Sequence, residues 1–519
     1  MKKYPGFITP QLFCRDLHRY HIKNARFDKL LSFHRFHGGV PLMHDSEHLY
    51  IDNSDCHTLI YGSTGSMKTR CIIMPSIIML GKASESMIIN DSKGELYYRL
   101  AGRLKNEGYN IITLNLRNPR LDNSWNPLII PYNFYLNGDI DRAAEFASDI
   151  ANNLMKTDKV SNADPFWENS ASNTMMGLIM LLFKWCKDHE LSKDAVNIGN
   201  IFLLRHALFK DNKNAKSSPL WEYASQDEMI YVSLSGAINA PSDTMSSMLS
   251  VFDEHLRALT IQPSLLDMLS NNDFDIADII NKKTAVFLIT PDEKTTYHTL
   301  CSLFIKQSYE YFIYMAAQSE SQELSNRLNY VLDEFSSLPT IDSFPSMITA
   351  ARSRNIRFII VTQSKSALTY KYSQEAATII SNCNNLVFFT SRELDLLNEI
   401  SSLCGMQKNH VPNISIYDLQ HLDKDTHEAL VMRGRSKPTL VNMLDIDKFD
   451  HKRFTQLKHE CYERCPRIKI DFNLSSEEPR NSHSLFDSLI NQLGLSMKQS
   501  ESDSIEDDIN SSSQDFDNE

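Results

Sequence analysis

The stretch "YGSTGSMKTRCIIMPSI", residues 61–77, differs at one position from a phosphate-binding loop. That motif reads G-x-x-x-x-G-K-[ST], and Gly62, Lys68 and Thr69 fall in register with it. Met67 stands where the second glycine belongs. The apolar run before the loop predicts a strand and the run after it predicts a helix, which is the context that the motif requires. The stretch therefore predicts a nucleotide site on an α/β fold.

The loop supplies the candidate nucleotide-binding residues. These are Gly62, Ser63, Thr64, Gly65, Ser66, Met67, Lys68 and Thr69. In such a loop backbone N–H groups and the positive end of the next helix enclose the phosphates, while the lysine neutralises phosphate oxygens and the hydroxyl holds Mg²⁺. Met67 adds a side chain where glycine normally lets phosphate approach. We expect the loop to tolerate Met67 if its φ is negative, or else to bind nucleotide weakly. Pro75 predicts a kink in the following helix.

A second motif lies about 265 residues further along the chain, in "NYVLDEFSSLP". An apolar strand that ends in two acidic residues is typical of a Walker B element. Asp333 would bind Mg²⁺ together with Thr69, and Glu334 would polarise the attacking water. The alternative is a strand that simply ends in two carboxylates, but its coincidence with a phosphate-binding loop favours the joint interpretation.

Three further candidate residues flank the next strand, "IRFIIVTQS". Gln363 at its end is a candidate sensor of the γ-phosphate or the water, although a strand-ending glutamine is also a common cap. Arg352 and Arg354 precede the strand, and an arginine that reaches a neighbouring subunit can stabilise transition-state charge. The alternative is a helix that ends in cations because they suit its dipole.

Apolar patterning divides the chain into strand-rich and helix-rich regions. Short β-branched runs alternate with helical stretches before residue 128 and again after 282, which indicates parallel strands with crossover helices. Between them apolar residues recur at helical spacing. We predict six segments: an N-terminal segment (1–50), the first part of a P-loop NTPase domain (51–138), an inserted all-α domain (139–281), the second part of the NTPase domain (282–450), a C-terminal extension (451–475) and a disordered acidic tail (476–519).

Charge and targeting signals limit the functional classes. The net charge is −12, and without the eight acidic residues of 501–519 it falls to −4, so any contact with nucleic acid must be local. No signal peptide and no run of the ~18 apolar residues of a membrane helix is present. We expect a soluble intracellular protein.

Beyond these motifs the chain resembles the TraG-type coupling proteins of type IV secretion and conjugation, which are relatives of the FtsK and HerA translocases. The similarity spans roughly residues 38–440. Besides the loop, its landmarks are "NDSKGELY" (90–97), "WNPL" (125–128), "DPFWENSA" (164–171), "LDEFSSLP" (332–339) and "SRNIRFIIVTQS" (353–364).

The resemblance implies a RecA-like P-loop NTPase domain that carries an all-α domain and works as a homo-hexamer around single- or double-stranded DNA, with ATP and Mg²⁺ as cofactors. By the same resemblance Lys68 and Thr69 bind phosphate and Mg²⁺, Asp333 and Glu334 form the Walker B pair, Gln363 is the sensor and Arg352 the arginine finger. Asp91 and Lys93 are given a supporting role near the nucleotide.

The implied partners are relaxase and relaxosome proteins and the type IV secretion channel or a membrane-anchoring protein. The implied location is cytoplasmic, peripheral at the inner face of the cell membrane. Family members usually begin with transmembrane helices, whereas about 37 polar residues precede the matching region here. Either a partner supplies the anchor, or the chain belongs to a soluble branch, or its start is missing.

The leading hypothesis is an ATP-binding translocase or recruiter that delivers relaxase–DNA to a transfer channel. One alternative, motivated by Met67, is a nucleotide-binding adaptor with little or no ATPase activity. Others are a receptor for secreted proteins and a chromosomal or phage DNA-packaging translocase, against which "NDSKGELY" and "DPFW" argue.

Overall fold

A nine-stranded sheet organises the part of the chain that the computed structural model describes, namely residues 4, 6–23, 26–27, 37–156, 164–210, 215–291, 297–449, 455–461 and 464–472. The strands of the described residues belong to this sheet and to a smaller one. They are β1 (His18–His21), β2 (Arg26–Phe27), β3 (Val40–His44), β4 (His48–Asp52), β5 (Thr58–Tyr61), β6 (Ser86–Asp91), β7 (Asn110–Asn115), β8 (Thr284–Ile289), β9 (Leu328–Leu332), β10 (Ile356–Thr362), β11 (Asn385–Phe388), β12 (Glu428–Arg433) and β13 (Thr439–Asn442). The nine-stranded sheet has the order β13-β12-β11-β5-β10-β9-β6-β8-β7.

Parallel pairing gathers the strand ends that carry the sequence motifs. The strands from β11 across to β7 are parallel, and β12 and β13 add an antiparallel edge. All side chains of β5, β6, β8, β9 and β10 are buried, as expected of a sheet covered on both faces. Leu59 and Tyr61 pack into one core and Ile60 into the other. The carboxyl ends of β5, β6, β9 and β10 therefore meet at one edge.

Helices cover both faces of the sheet and fill the region between β7 and β8. They are α1 (Pro10–Phe13), α2 (Met74–Lys82), α3 (Glu95–Asn106), α4 (Ile129–Leu136), α5 (Ile140–Met155), α6 (Pro165–Asp188), α7 (Ile198–Leu208), α8 (Pro219–Ala224), α9 (Glu228–Asn239), α10 (Ser242–Thr260), α11 (Pro263–Met268), α12 (Asp278–Asn281), α13 (His298–Gln318), α14 (Phe344–Ala351), α15 (Lys365–Tyr372), α16 (Ala376–Asn382), α17 (Leu394–Leu403), α18 (Ile416–Gln420) and α19 (Ile446–Phe449).

The block from α4 to α12 contains helices and no strand among its described residues. Its central helix is α6, which packs closely on α9. A Cβ added at Gly177 of α6 would lie 2.6 Å from Leu234 Cγ of α9, so the absence of a side chain permits the close approach. No helix of the described residues combines the length and the apolar character that a membrane crossing requires.

A small antiparallel sheet, ordered β2-β1-β4-β3, precedes the large one. No fold was predicted for residues 1–50, so this sheet is an addition to the prediction. It packs with α2 and with the large sheet in a shared core that includes Leu42, Ile51 and Ile77.

An extended segment, residues 455–461 and 464–472, crosses the NTPase domain and the helical block; we refer to it as the C-terminal strap. On the NTPase side His459 stacks on Tyr97 with ring centroids 4.6 Å apart and lies 2.6 Å from Asp122 Oδ2. A Cβ at Gly102 would lie 1.8 Å from the carbonyl oxygen of Thr455, so the strap lies directly against α3.

The other end of the strap is anchored in the helical block. The carbonyl oxygen of Ile468 accepts hydrogen bonds from Asn197 and Asn200, and the backbone N–H of Ile470 donates to Asn200 Oδ1. Phe472 is buried against Trp185 of α6. The strap thus connects the two parts of the protein. The predicted disordered tail, 476–519, lies outside the described residues.

Candidate nucleotide site

The phosphate-binding loop is held between two strands that flank β5. The backbone N–H of Gly62 donates to the Thr362 carbonyl at 3.2 Å, and that of Ser63 donates to the Thr390 carbonyl at 3.1 Å. A Cβ at Gly62 would lie 2.5 Å from Ser66 Oγ, which explains a glycine there. These contacts fix the loop at the carboxyl edge of the sheet, where anions find unpaired backbone N–H groups.

Met67 adopts a φ of +66°, so the negative φ that would make a side chain harmless is not observed. The left-handed conformation costs an ordinary residue roughly 1–2 kcal/mol. The Met67 side chain is half-buried and packs against the core that includes Ile73, which offsets part of this cost. The loop therefore keeps a glycine-type backbone although it lacks the glycine.

The helix after the loop begins with a π-helical turn, Thr69–Ile73, and continues as α2. Within this start the backbone N–H of Met74 donates to the carbonyl of Thr69, five residues earlier. Pro75 has no N–H to give and is the second residue of α2. The departure from a regular helix that Pro75 predicted takes the form of this wider, π-helical first turn.

The loop and the acidic pair come together. Thr69 Oγ1 lies 3.5 Å from Asp333 Oδ2, although the two residues are 264 positions apart in the sequence. Lys68 is buried, with Nζ 3.5 Å from the Ser63 carbonyl oxygen. Burial lowers the pKa of Lys68, and the charges of Asp333 and Glu334 oppose that shift. The lysine and the acidic pair therefore lie in one cavity.

Asp333 suits a divalent cation. Burial raises its pKa to about 6, and Lys68 only partly opposes the shift. The described residues contain no cluster of three or more His, Cys, Asp or Glu side chains that could hold a metal alone. Mg²⁺ commonly takes one or two protein ligands and completes its shell with water and substrate phosphates. The Thr69 hydroxyl and the Asp333 carboxylate fit that donor set.

The end of β6 contributes to the same cavity. Asp91 is buried, accepts the backbone N–H of Tyr97 at 2.7 Å, and has its pKa raised to about 7 by burial. Asn90 Nδ2 donates to the Asp333 carbonyl oxygen at 2.6 Å. Glu334, whose φ is +53°, accepts from Ser92 Oγ and pairs with Lys93 Nζ, each at 3.2 Å.

The family resemblance implied a supporting role for Asp91 and Lys93, whereas the roles of Asn90 and Ser92 were not predicted. Their place in "NDSKGELY", directly at the end of a strand, is the signal that could have identified them. Because β6 and β9 are neighbours in the sheet, residues that follow these strands must face each other.

Gln363 and Arg352 lie at opposite ends of β10. Gln363 Oε1 accepts a hydrogen bond from Thr64 Oγ1 at 3.1 Å, so Gln363 lies beside the loop. Arg352 precedes β10 and is exposed, at the end of the strand far from the loop. The structure does not bring Arg352 to the cavity of its own chain, and its role as a finger for a neighbouring subunit stays a prediction.

Residues 64–70, residues 91–93, 95 and 96, and the acidic pair Asp333 and Glu334 line an open cavity of about 180 Å³. A parallel sheet with a phosphate-binding loop and an acidic strand end at its carboxyl edge defines a RecA-like P-loop NTPase. Residues 28–433 match the family described as Type IV secretory system Conjugative DNA transfer, and the chain belongs to that family. The family resemblance and the fold class that the sequence predicted are confirmed.

Curated relatives include the protein VirD4 from Rhizobium radiobacter, which is 22% identical over 412 residues, covering 76% of this chain and 55% of the relative. VirD4 from Agrobacterium fabrum (strain C58) is 22% identical over 367 residues, covering 69% of this chain and 50% of the relative. The chain thus spans about half the length of the curated relatives it matches.

The solved structures that share the fold include the conjugative coupling protein TrwB. Its trigonal form in complex with sulphate gives a TM-score of 0.58 at 17% identity, covering 78% of this chain and 88% of TrwB. TrwB with ADP and Mg²⁺ gives 0.55 at 15% identity, covering 78% and 87%. TrwB with the non-hydrolysable ATP analogue ADPNP gives 0.54 at 16% identity, with the same coverage.

Proposed function

We propose that this protein is a coupling ATPase that binds ATP and Mg²⁺ and delivers relaxase–DNA to a type IV transfer channel. The observation that carries the proposal is the meeting of Lys68 and Thr69 with Asp333 and Glu334 in one cavity. TrwB, which shares the fold, holds ADP and Mg²⁺ in one solved structure and an ATP analogue in another, which supports the same pair of ligands here.

Each side chain has a task in phosphoryl transfer. Lys68 neutralises the β- and γ-phosphate oxygens, and its burial strengthens this attraction because water does not screen it. Thr69 and Asp333 would hold Mg²⁺, which when bound would stabilise negative charge on the phosphate oxygens. Glu334 orients the attacking water and accepts its proton. Gln363, which accepts a hydrogen bond from Thr64 of the loop, senses the γ-phosphate.

Assembly completes the site. The exposed Arg352 lies away from its own cavity and is available to a neighbouring subunit, where an arginine stabilises the charge of the transition state. We propose a homo-hexamer that surrounds single- or double-stranded DNA and grips the phosphate backbone in a salt-sensitive manner. It would act at the inner face of the cell membrane, with relaxosome proteins and the secretion channel or an anchoring protein as partners.

Steady-state ATP hydrolysis, measured while single-stranded DNA is titrated, tests the proposal. We expect turnover that rises with DNA, is abolished by Lys68→Ala and falls at least a hundredfold in Glu334→Gln with nucleotide binding retained, since removal of a general base typically costs about 10²–10⁴ in rate. Equal turnover in wild type and Glu334→Gln would contradict the proposal.

The second candidate function is a nucleotide-binding adaptor with little or no ATPase activity. The left-handed backbone of Met67 favours it, because strain in the loop can weaken the grip on phosphates. Nucleotide binding without turnover, with and without DNA, would select the adaptor. Turnover stimulated by a secreted protein but not by DNA would instead select a receptor for protein cargo.

A further inference from the structure

The carboxylate of Glu334 is held by two residues from the end of β6. Its Oε2 accepts the Ser92 hydroxyl and its Oε1 pairs with Lys93 Nζ, both at 3.2 Å. The Glu334 side chain is 19% exposed, so few water molecules can replace these partners. Each oxygen thus has one of its acceptor positions filled, and Lys93 Nζ occupies a place beside Oε1 that a water molecule would otherwise take.

The two partners differ in how readily they can leave. Ser92 is buried and short, and its hydroxyl reaches Glu334 from a fixed place on the strand end. Lys93 is 52% exposed and long, and an exposed ion pair of this kind contributes little free energy. The Lys93 ammonium can therefore exchange its partner whenever a stronger anion enters the cavity.

Lys93 also faces the place where phosphate must bind. It lines the same cavity as Lys68 and the loop. After burial and two carboxylate charges, the charge of Lys93 is the next influence on the pKa of Lys68, which it lowers. Lys68 and Lys93 thus place two positive charges in one cavity beside the phosphate-binding loop. Such an arrangement suits a multiply charged anion.

The contact with Glu334 indicates which phosphate Lys93 would meet. In the proposed mechanism Glu334 would orient the water that attacks the γ-phosphate. An ammonium that starts beside Glu334 is therefore nearer to the γ-phosphate than to the α- and β-phosphates, which the loop encloses.

We propose that Lys93 recognises the γ-phosphate of a nucleoside triphosphate and, in moving to it, releases one oxygen of Glu334 for work on water. Ser92 keeps the other oxygen in place. The inference deepens the proposed function and rests on it. Glu334 would be withheld from hydrolysis until a triphosphate, rather than a diphosphate, occupies the cavity.

Binding of fluorescently labelled ADPNP and ADP to the full chain, in Mg²⁺ and measured by anisotropy, tests the proposal. Lys93→Met keeps the length of the side chain and removes its charge. We expect about tenfold weaker binding of ADPNP and less than twofold change for ADP, because a charge-assisted contact is lost with only one of the two ligands. Lys93→Arg should restore ADPNP binding to within about threefold of wild type.

Lys105→Met is the matched control, because Lys105 is 53% exposed and pairs with the exposed Glu460 at 3.7 Å. It should change neither affinity. Equal weakening of both nucleotides in Lys93→Met, or no change in either, would overturn the role of Lys93 while leaving the proposed function intact. If wild type bound neither nucleotide, and thus behaved like Lys68→Ala, the proposed function would fail and this inference with it.

Discussion

Replacing Met67 by glycine tests whether the loop has a glycine-type backbone. Its φ of +66° implies strain of roughly 1–2 kcal/mol that glycine would remove. Glycine also loses the half-buried methionine, worth about 1 kcal/mol, and makes the unfolded chain more flexible, at a cost of about 0.5–1 kcal/mol. These effects nearly cancel, so Met67→Gly should change the free energy of unfolding by less than about 1 kcal/mol.

Met67→Ala separates the contributions, because it loses the same packing and keeps the strain. We expect Met67→Gly to be more stable than Met67→Ala by about 0.5–1 kcal/mol, measured by urea denaturation. At the exposed Glu145, inside α5, the order should be reversed, with alanine about 1 kcal/mol better than glycine.

If alanine equalled or exceeded glycine at position 67, the left-handed conformation would be wrong. The adaptor hypothesis that depends on loop strain would then lose its structural support. If the order is as expected, Met67→Gly should also bind ADP at least as tightly as wild type, since the backbone N–H groups keep their arrangement.

Two further predictions concern stability. His57 is buried, which lowers its pKa from 6.5 to about 4, and its Nδ1 accepts the Phe358 N–H. Between these pH values His57 is protonated in the unfolded chain and neutral in the folded chain. Lowering the pH from 7 to 5 should therefore reduce the free energy of unfolding by about 2 kcal/mol. His57→Asn should show a correspondingly smaller loss in urea denaturation at the two pH values, and an identical loss would contradict this. Phe472→Ala should detach the end of the C-terminal strap about a hundredfold more readily, because truncating a buried Phe costs about 3 kcal/mol or more. Hydrogen exchange at the Ile470 amide measures this, and unchanged protection would refute it.

The strands that the sequence predicted best are those that the sheet buries on both faces. β8 has a nearly continuous apolar sequence, and β6 and β10 have an apolar run at their centre, because their side chains are buried. The antiparallel direction of β12 could not be predicted, since an apolar pattern carries no direction. The small N-terminal sheet was missed because β1 reads "HRYH" and is stabilised by pairing with residues 48–51 rather than by an apolar run of its own.

The part of the nucleotide site that consists of sequence motifs could be predicted. Lys68 and Asp333 could be assigned to one site from the sequence, because a phosphate-binding loop and an acidic strand end usually bind the same nucleotide and its Mg²⁺. The contacts of Ser92 and Lys93 with Glu334 depend on β6 lying beside β9, which is a matter of strand order and not of local pattern. The positive φ of Met67 likewise could not be predicted from the residue type, because methionine rarely adopts one.

The C-terminal strap has a consequence for synthesis. The carbonyl that caps the Asn197 and Asn200 amides belongs to Ile468, which leaves the ribosome 271 residues after Asn197. Until that moment the helical block lacks the hydrogen bonds from these two amides to Ile468, and Trp185 lacks its contact with Phe472. The helical block should therefore reach its full stability only after residues 468–472 have been synthesised and have packed onto it.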